Sequence, residues 1–400
     1  MTNYLKQNNA SSRVVLIDAV RGFALFGLFM VHCVEVFELY WANPVPSEWR
    51  DQTLSIFAGK SFALFALCFG LSFAIIMDSA SKRGEAYGGR FLWRLALLAV
   101  IGYAHSLIYR GDILVPLAVL GVILVPLNRI SKNWILLLIA ALFMLNLPLL
   151  WRILAGLSGA EWAMSMPHYY NDYKLSTYLS GTFAETINAN AIIGNLKKWS
   201  FCIESGRVSQ ILGLFIFGQV LGRIGFFRNP QRFRRETIGV FLLTTMITFI
   251  LLNWHSQLVS LFQASEAGST DIYVNHLLKS WSDSTFMAAQ VAAFVLLWQF
   301  GGHYILKAFA AGGSMTLSLY VGQSLVMVSI LYGFGFGLHD DLTSVHLFWI
   351  GLGGFAFQLV LAAIWMRFFQ YGPLEWVWRV ATQLNLNVPF LRRTKQSEIG

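Results

Sequence analysis

The residues with the most chemical capacity in this sequence sit inside its first apolar stretch, where Asp18, Arg21 and His32 interrupt an otherwise hydrophobic run. Asp18 and Arg21 are three apart, so on a helix their carboxylate and guanidinium stand one turn from each other. Arg21 and His32 are eleven apart; eleven residues make three turns plus about 20°, which puts both on one helix face roughly 16 Å from each other. An arginine inside a bilayer costs about 2.5 to 3.5 kcal/mol on insertion scales, so a charge kept there is read as functional. The device recurs in Arg94 and His105, also eleven apart and followed by Arg110-Gly111-Asp112. A neutral histidine can take a proton from a hydroxyl or amine while a carbonyl is attacked, and an arginine can bind phosphate or a developing oxyanion. Acyl transfer is one chemistry open to such a set. Carrying a solute or a proton across the membrane through the same polar residues is the other.

Each of these side chains also has a plainer use. His105 could be a buried histidine bonded to a backbone carbonyl, Arg94 could reach along the helix to headgroup phosphates, and Asp112 could pair with Arg110 at the surface. A further polar group, Gln323, lies within Tyr320-Val321-Gly322-Gln323-Ser324 in the ninth apolar run. A mid-span glutamine must hydrogen-bond to another helix, to water or to a substrate, and interhelical bonding is the ordinary case.

The elements that must position these groups are membrane helices. Hydrophobic residues make up 56% of the 400 and charged residues only 12%, and apolar runs of about 18 residues or more recur along the chain. They define an all-α integral membrane protein of about ten transmembrane helices in one polytopic bundle, with approximate spans 14–34, 53–77, 91–109, 112–128, 133–151, 207–225, 237–254, 283–301, 313–334 and 345–366. Lys and Arg concentrate in alternate loops, above all Arg228, Arg232, Arg234 and Arg235, which places both termini in the cytoplasm. That asymmetry accounts for the net charge of +9 without a nucleic-acid partner. The organisation expected is a cytoplasmic segment 1–13, five helices over 14–151, a long extracytoplasmic loop 152–206, five helices over 207–379 and a cytoplasmic tail 380–400. The loop, with Trp162, Tyr169, Tyr170 and Tyr173, reads either as a lid over a cavity or as an aromatic belt segment at the headgroups. The eight histidines and three cysteines show no metal-ligand spacing, so no metal site is expected.

Several strings resemble those of YeiB-like bacterial inner-membrane proteins, a family of unknown function: Asp18-x-x-Arg21-Gly22, Leu64-Phe65 with Phe69-Gly70, His105 followed by Gly111-Asp112-Ile113-Leu114, Tyr320-x-x-Gln323-Ser324, and Tyr371-Gly372-Pro373-Leu374-Glu375-Trp376-x-Trp378-Arg379. The resemblance covers nearly the whole chain and implies a multi-pass protein of the bacterial plasma membrane. The first span is also similar to type-3 membrane acyltransferases and to heparan glucosaminide acetyltransferase. That likeness implies passage of an acyl group from a cytoplasmic thioester, acyl-coenzyme A or similar, to an acceptor in the membrane or on its far side, with no permanently bound cofactor. By it His32 is the reactive histidine and Arg21 its donor-side partner, with His105 the other base to consider. The catalytic set expected is thus Asp18, Arg21, His32 and His105, with Arg94, Asp112, Tyr320 and Gln323 as binding residues. The partners expected are the lipid bilayer and a small acyl acceptor, or a transported solute if the protein is a transporter or exporter.

Overall fold

In a bilayer no water is present to satisfy backbone amides, so apolar runs of this kind close their hydrogen bonds within helices. The computed structural model describes residues 14–42, 45–170, 175–262 and 270–392. The expected segment 1–13, Tyr173 and the basic end of the tail, 393–400, lie outside the described residues. Within them the chain is helical, apart from one isolated bridge between Phe369 and Leu391.

Helix α1 runs Val15–Val34 and continues into a 3-10 turn, Val36–Ala42. Helices α2 (Glu48–Phe57) and α3 (Lys60–Ser81) form one span broken at Gly59, whose φ is 79°. Then come α4 (Gly88–Ile108), α5 (Leu114–Leu127), α6 (Asn133–Leu157), α7 (Phe183–Glu204), α8 (Arg207–Arg223), α9 (Pro230–Asn253) and α10 (Thr270–Leu306). The chain closes with α11 (Phe309–Ser314), α12 (Thr316–Leu331), α13 (Ser344–Phe368) and α14 (Pro373–Gln383). Among the described residues seven helices are long and apolar enough to cross a membrane, or eight if α7 and α8, bent by 71°, count as one. The protein is a multi-pass membrane protein.

Every one of the ten apolar runs is helical, but helix length alone does not carry a count of ten. The runs 112–128, 207–225 and 313–334 yield shorter helices than hydropathy implies. In α5 a 3-10 turn at Gly121–Ile123 interrupts the ladder between Pro116 and Pro126. Gly206, at φ 74°, turns the chain sharply before α8, and Met315 leaves helical geometry before α12. Much of 152–206, expected as a loop, is helical, with α7 its main element.

Helix α1 is enclosed by α3, α11, α12 and α13, and Ala19, Ala24, Leu25 and Cys33 on it are fully buried. A helix apolar on all sides belongs in such a central place. Gly22 and Gly313 let α1 and α11 touch backbone to backbone: a Cβ on Gly22 would strike the Phe309 carbonyl, and one on Gly313 would strike that of Asp18. Gly70 of α3 and Gly218 of α8 do the same across the next interface, against Phe215 and Leu67. This is the small-residue packing on which membrane helix pairs rely.

The Gly372-Pro373-Leu374-Glu375 string has a mechanical role. Pro373 opens α14, and the Glu375 carboxylate accepts hydrogen bonds from the backbone N–H of Leu317 (2.7 Å) and Ser318 (3.1 Å) and from the Ser318 hydroxyl (2.5 Å). Leu374 N–H donates in turn to Ser318 Oγ at 3.0 Å. A carboxylate at the start of α12 satisfies amides that have no partner inside the helix. Glu375→Ala is expected to cost about 0.5 to 2 kcal/mol, the usual loss of a helix cap, read as a lowered midpoint of thermal unfolding in detergent. An unchanged midpoint would remove this role.

Candidate active site

His32 lies on the last turn of α1 and His105 on the last turn of α4, so both imidazoles are delivered to the same end of the bundle. After α1 the chain turns a corner in which Val36, Phe37 and Glu38 have φ of 52°, 45° and 77°. Three consecutive non-glycine residues in the left-handed region cost about 1 to 3 kcal/mol each, a strain that clusters at functional sites. The corner brings Glu38 back against Tyr109 and Arg110, at the turn that follows α4.

Two hydrogen-bond chains follow. His105 Nδ1 is 2.8 Å from Asp112 Oδ1, and Asp112 Oδ2 accepts from the Val115 N–H at 3.0 Å. An ionised Asp112 only accepts, so Nδ1 of His105 carries the proton and Nε2 is left with its lone pair. Tyr109 gives its hydroxyl proton to Glu38 Oε1 at 3.2 Å and lies 3.0 Å from His32 Nδ1. Having one proton, already spent on Glu38, the hydroxyl accepts from His32, and Nε2 of His32 is likewise a free base. Neither Nε2 has a hydrogen-bond partner among the described residues. Arg110 holds Glu38 from the other side, Nε to Oε2 at 3.1 Å and a terminal nitrogen to the Glu38 carbonyl at 3.0 Å.

The rings pack tightly. Tyr109 lies between the imidazoles, its centroid 5.4 Å from His32 and 5.8 Å from His105, and Tyr320 lies 5.3 Å from His105. The Tyr320 hydroxyl accepts from the Ile113 N–H at 3.2 Å. Lys198 of α7 brings its ammonium to 3.9 Å from Asp112 Oδ2. His32 is 7% exposed, His105 4% and Asp112 1%, so the site is closed to solvent.

The expected residues separate into two groups. His32, His105, Asp112 and Tyr320 come together. Asp18 and Arg21, paired with each other, stand at the opposite end of α1, and Arg94 lies at the matching end of α4 with its guanidinium 3.6 Å from the centre of the Trp378 ring. Trp378 Nε1 donates to the Arg94 carbonyl at 2.9 Å. Leu25 (0% exposed) and Leu98 (4%) lie between the ends. Gln323 donates to Gln358 Oε1 at 2.8 Å, an interhelical bond outside the histidine cluster. Two of the plainer expectations are corrected. Asp112 is buried with His105 and Lys198 instead of pairing with Arg110 at the surface, because Glu38 has taken the arginine. The partner of the His105 ring is a carboxylate and not a backbone carbonyl.

Glu38, Tyr109 and Lys198 were not singled out in the sequence. Tyr109 had a legible signal, four residues after His105 on the same helical face. Glu38 depends on the strained corner and Lys198 on the folding of the long connection, and neither leaves a local pattern.

Residues 13–175 match the family model described as heparan-alpha-glucosaminide N-acetyltransferase, catalytic, and residues 221–385 match the one described as protein of unknown function (DUF418). The first match contains His32, Glu38, His105, Tyr109 and Asp112; the second contains Tyr320 and Glu375. Among curated proteins, the uncharacterized YxaH of Bacillus subtilis (strain 168) is 24% identical over 98% of this chain and 99% of its own length. A 39.9 kDa protein of the amylase 3' region of Bacillus acidopullulyticus is 23% identical over 95% and 96%. The uncharacterized YeiB of Escherichia coli (strain K12) is 24% identical over 92% and 96%. The chain is thus a multi-pass membrane protein similar to YeiB over most of its length, its N-terminal part matching an acetyltransferase catalytic family model and its C-terminal part that of DUF418.

Proposed function

We propose that the protein transfers an acyl group from a thioester donor, acyl-coenzyme A or a similar molecule, to a hydroxyl or amine acceptor at the histidine end of the bundle. The observation that carries this is the pair of buried imidazoles, each held at Nδ1, directly or through Tyr109, by an acidic residue and each presenting an unpartnered Nε2. His105, fixed by Asp112, is the general base. Its Nε2 takes the acceptor's proton as the acceptor oxygen or nitrogen bonds to the acyl carbon; the C–S bond then breaks and the departing thiolate takes that proton back. His32 offers the second lone pair, which orients the acceptor. With both termini in the cytoplasm of a bacterial plasma-membrane protein, Arg21 and Arg94 stand at the donor's side and bind its phosphates. Arg21 and His32 stand roughly 16 Å apart along α1, so an elongated donor reaches across once Leu25 and Leu98 part.

The test is thiol release by purified protein in detergent, supplied with acetyl-coenzyme A and a panel of sugar, amine and lipid acceptors. Release that depends on acceptor, with acyl product found by mass spectrometry, is the expected result. No release with any acceptor, together with solute accumulation in proteoliposomes lacking a donor, would replace acyl transfer with transport.

A further inference from the structure

The long connection before α8 is seated on the site by specific bonds. Asn190 lies in a π-turn, Asn190–Gly194, within α7; such turns shift the register of a helix and recur at functional sites. Its amide donates to the Leu107 carbonyl at 3.0 Å and accepts from the Tyr178 hydroxyl at 2.8 Å. Asn195 donates to Ser106 Oγ at 3.2 Å and to the Asn190 carbonyl at 2.8 Å. The Gly333 N–H, from the exit of α12, donates to the Tyr178 carbonyl at 2.9 Å. These contacts fix α7 against Ser106 and Leu107, the two residues after His105, and Lys198 lies three residues beyond Asn195 on the same face.

Lys198 points inward. Its side chain is only 9% exposed, its ammonium is 3.9 Å from Asp112 Oδ2, and Nζ makes no hydrogen bond among the described residues. Asp112 meanwhile has one oxygen on His105 and the other on Val115 N–H. An ammonium has three protons to donate, and burying it without acceptors is costly. The carboxylate it approaches is the one that holds His105, so an unfilled donor stands beside the dyad whose imidazole carries an unfilled base. Lys198 also lies outside both stretches matched by the family models.

We infer that Lys198 is a catalytic residue, the donor that holds the acyl carbonyl oxygen during transfer, and that α7 is the element that completes the site. The inference rests on the acyl-transfer proposal. As the acceptor attacks, the carbonyl π pair moves onto oxygen, and Lys198 stabilises that charge by hydrogen bonding without giving up its proton. When the carbonyl re-forms and the C–S bond breaks, the thiolate is protonated by His105 Nε2–H, so Lys198 ends as it began.

Lys198→Met is expected to lower kcat by about 10²- to 10³-fold, the loss typical of removing one oxyanion donor, with the donor KM little changed. Lys198→Arg, which keeps the charge, should recover part of the rate. A structural role would be to balance the charge of Asp112, and a double-mutant cycle separates the two. If Lys198 acts on the acyl oxygen, the losses of Lys198→Met and Asp112→Asn multiply. If Lys198→Met costs nothing further once Asp112 is Asn, it only balances charge and the inference is overturned. Wild-type-like kcat in a monodisperse Lys198→Met protein overturns it too and leaves acyl transfer standing. Absence of thiol release from the wild type removes both.

Discussion

His105→Gln lowers acceptor-dependent thiol release by about 10²- to 10⁴-fold, the contribution typical of a general base, while the protein still inserts, purifies and elutes as the wild type does. Glutamine keeps a side-chain N–H that can reach Asp112, so the buried carboxylate retains a donor and the fold is spared the cost of an unpaired charge. What it lacks is the basic Nε2 that faces the closed site. Asp112→Asn should give a comparable loss through the same Nε2. Its amide can donate to Nδ1, which shifts the ring proton to Nε2 and removes the lone pair without moving the ring. Steady-state turnover and size-exclusion profiles of both variants decide the matter. Wild-type turnover in His105→Gln would pass the role of base to His32, whose Nε2 is equally unpartnered.

Gly22→Leu yields no monodisperse protein, whereas Gly353→Leu behaves as the wild type. A side chain at Gly22 meets the backbone carbonyl of Phe309, and the reciprocal glycine, Gly313, is pressed on Asp18, so neither helix has a flexible group that could yield. Overpacking by a few atoms costs about 1 to 3 kcal/mol where side chains can move, and two abutting backbones lack that relief. Gly353 sits on an exposed part of α13 with nothing near its missing Cβ, so it controls for the bulk of leucine itself. Fluorescence-detected sizing of the two variants in the same detergent is the measurement. A sharp, wild-type peak from Gly22→Leu would show that α1 and α11 separate more readily than their glycine contact implies.

Much of this architecture was legible because apolar runs, intramembrane charges and helical spacing are local properties. His32 and His105 could be paired from the repeated eleven-residue interval, and they do meet, through Tyr109. Gly22 in Asp18-x-x-Arg21-Gly22 and Glu375 in the terminal string were noticed as patterns; their work, a backbone contact and a helix cap, became visible only with their neighbours in place. The shortness of α5, α8 and α12 was hidden because hydropathy windows average over prolines and glycines that end a helix. Lys198 was hidden for a different reason. It reaches Asp112 through a connection 86 residues further along the chain, 198 against 112, and no local periodicity records a contact of that span.

The sealed stretch between Arg21 and His32 bears on how a cell would tolerate such a protein. With Leu25 and Leu98 buried there, ions meet apolar packing between the two polar ends, so the electrical gradient over the membrane survives beside the chemistry proposed at one of them. A carrier must alternately unseal each face, but a group handed over covalently needs only an opening wide enough for a slim chain, and the leak is then limited to the moment of delivery.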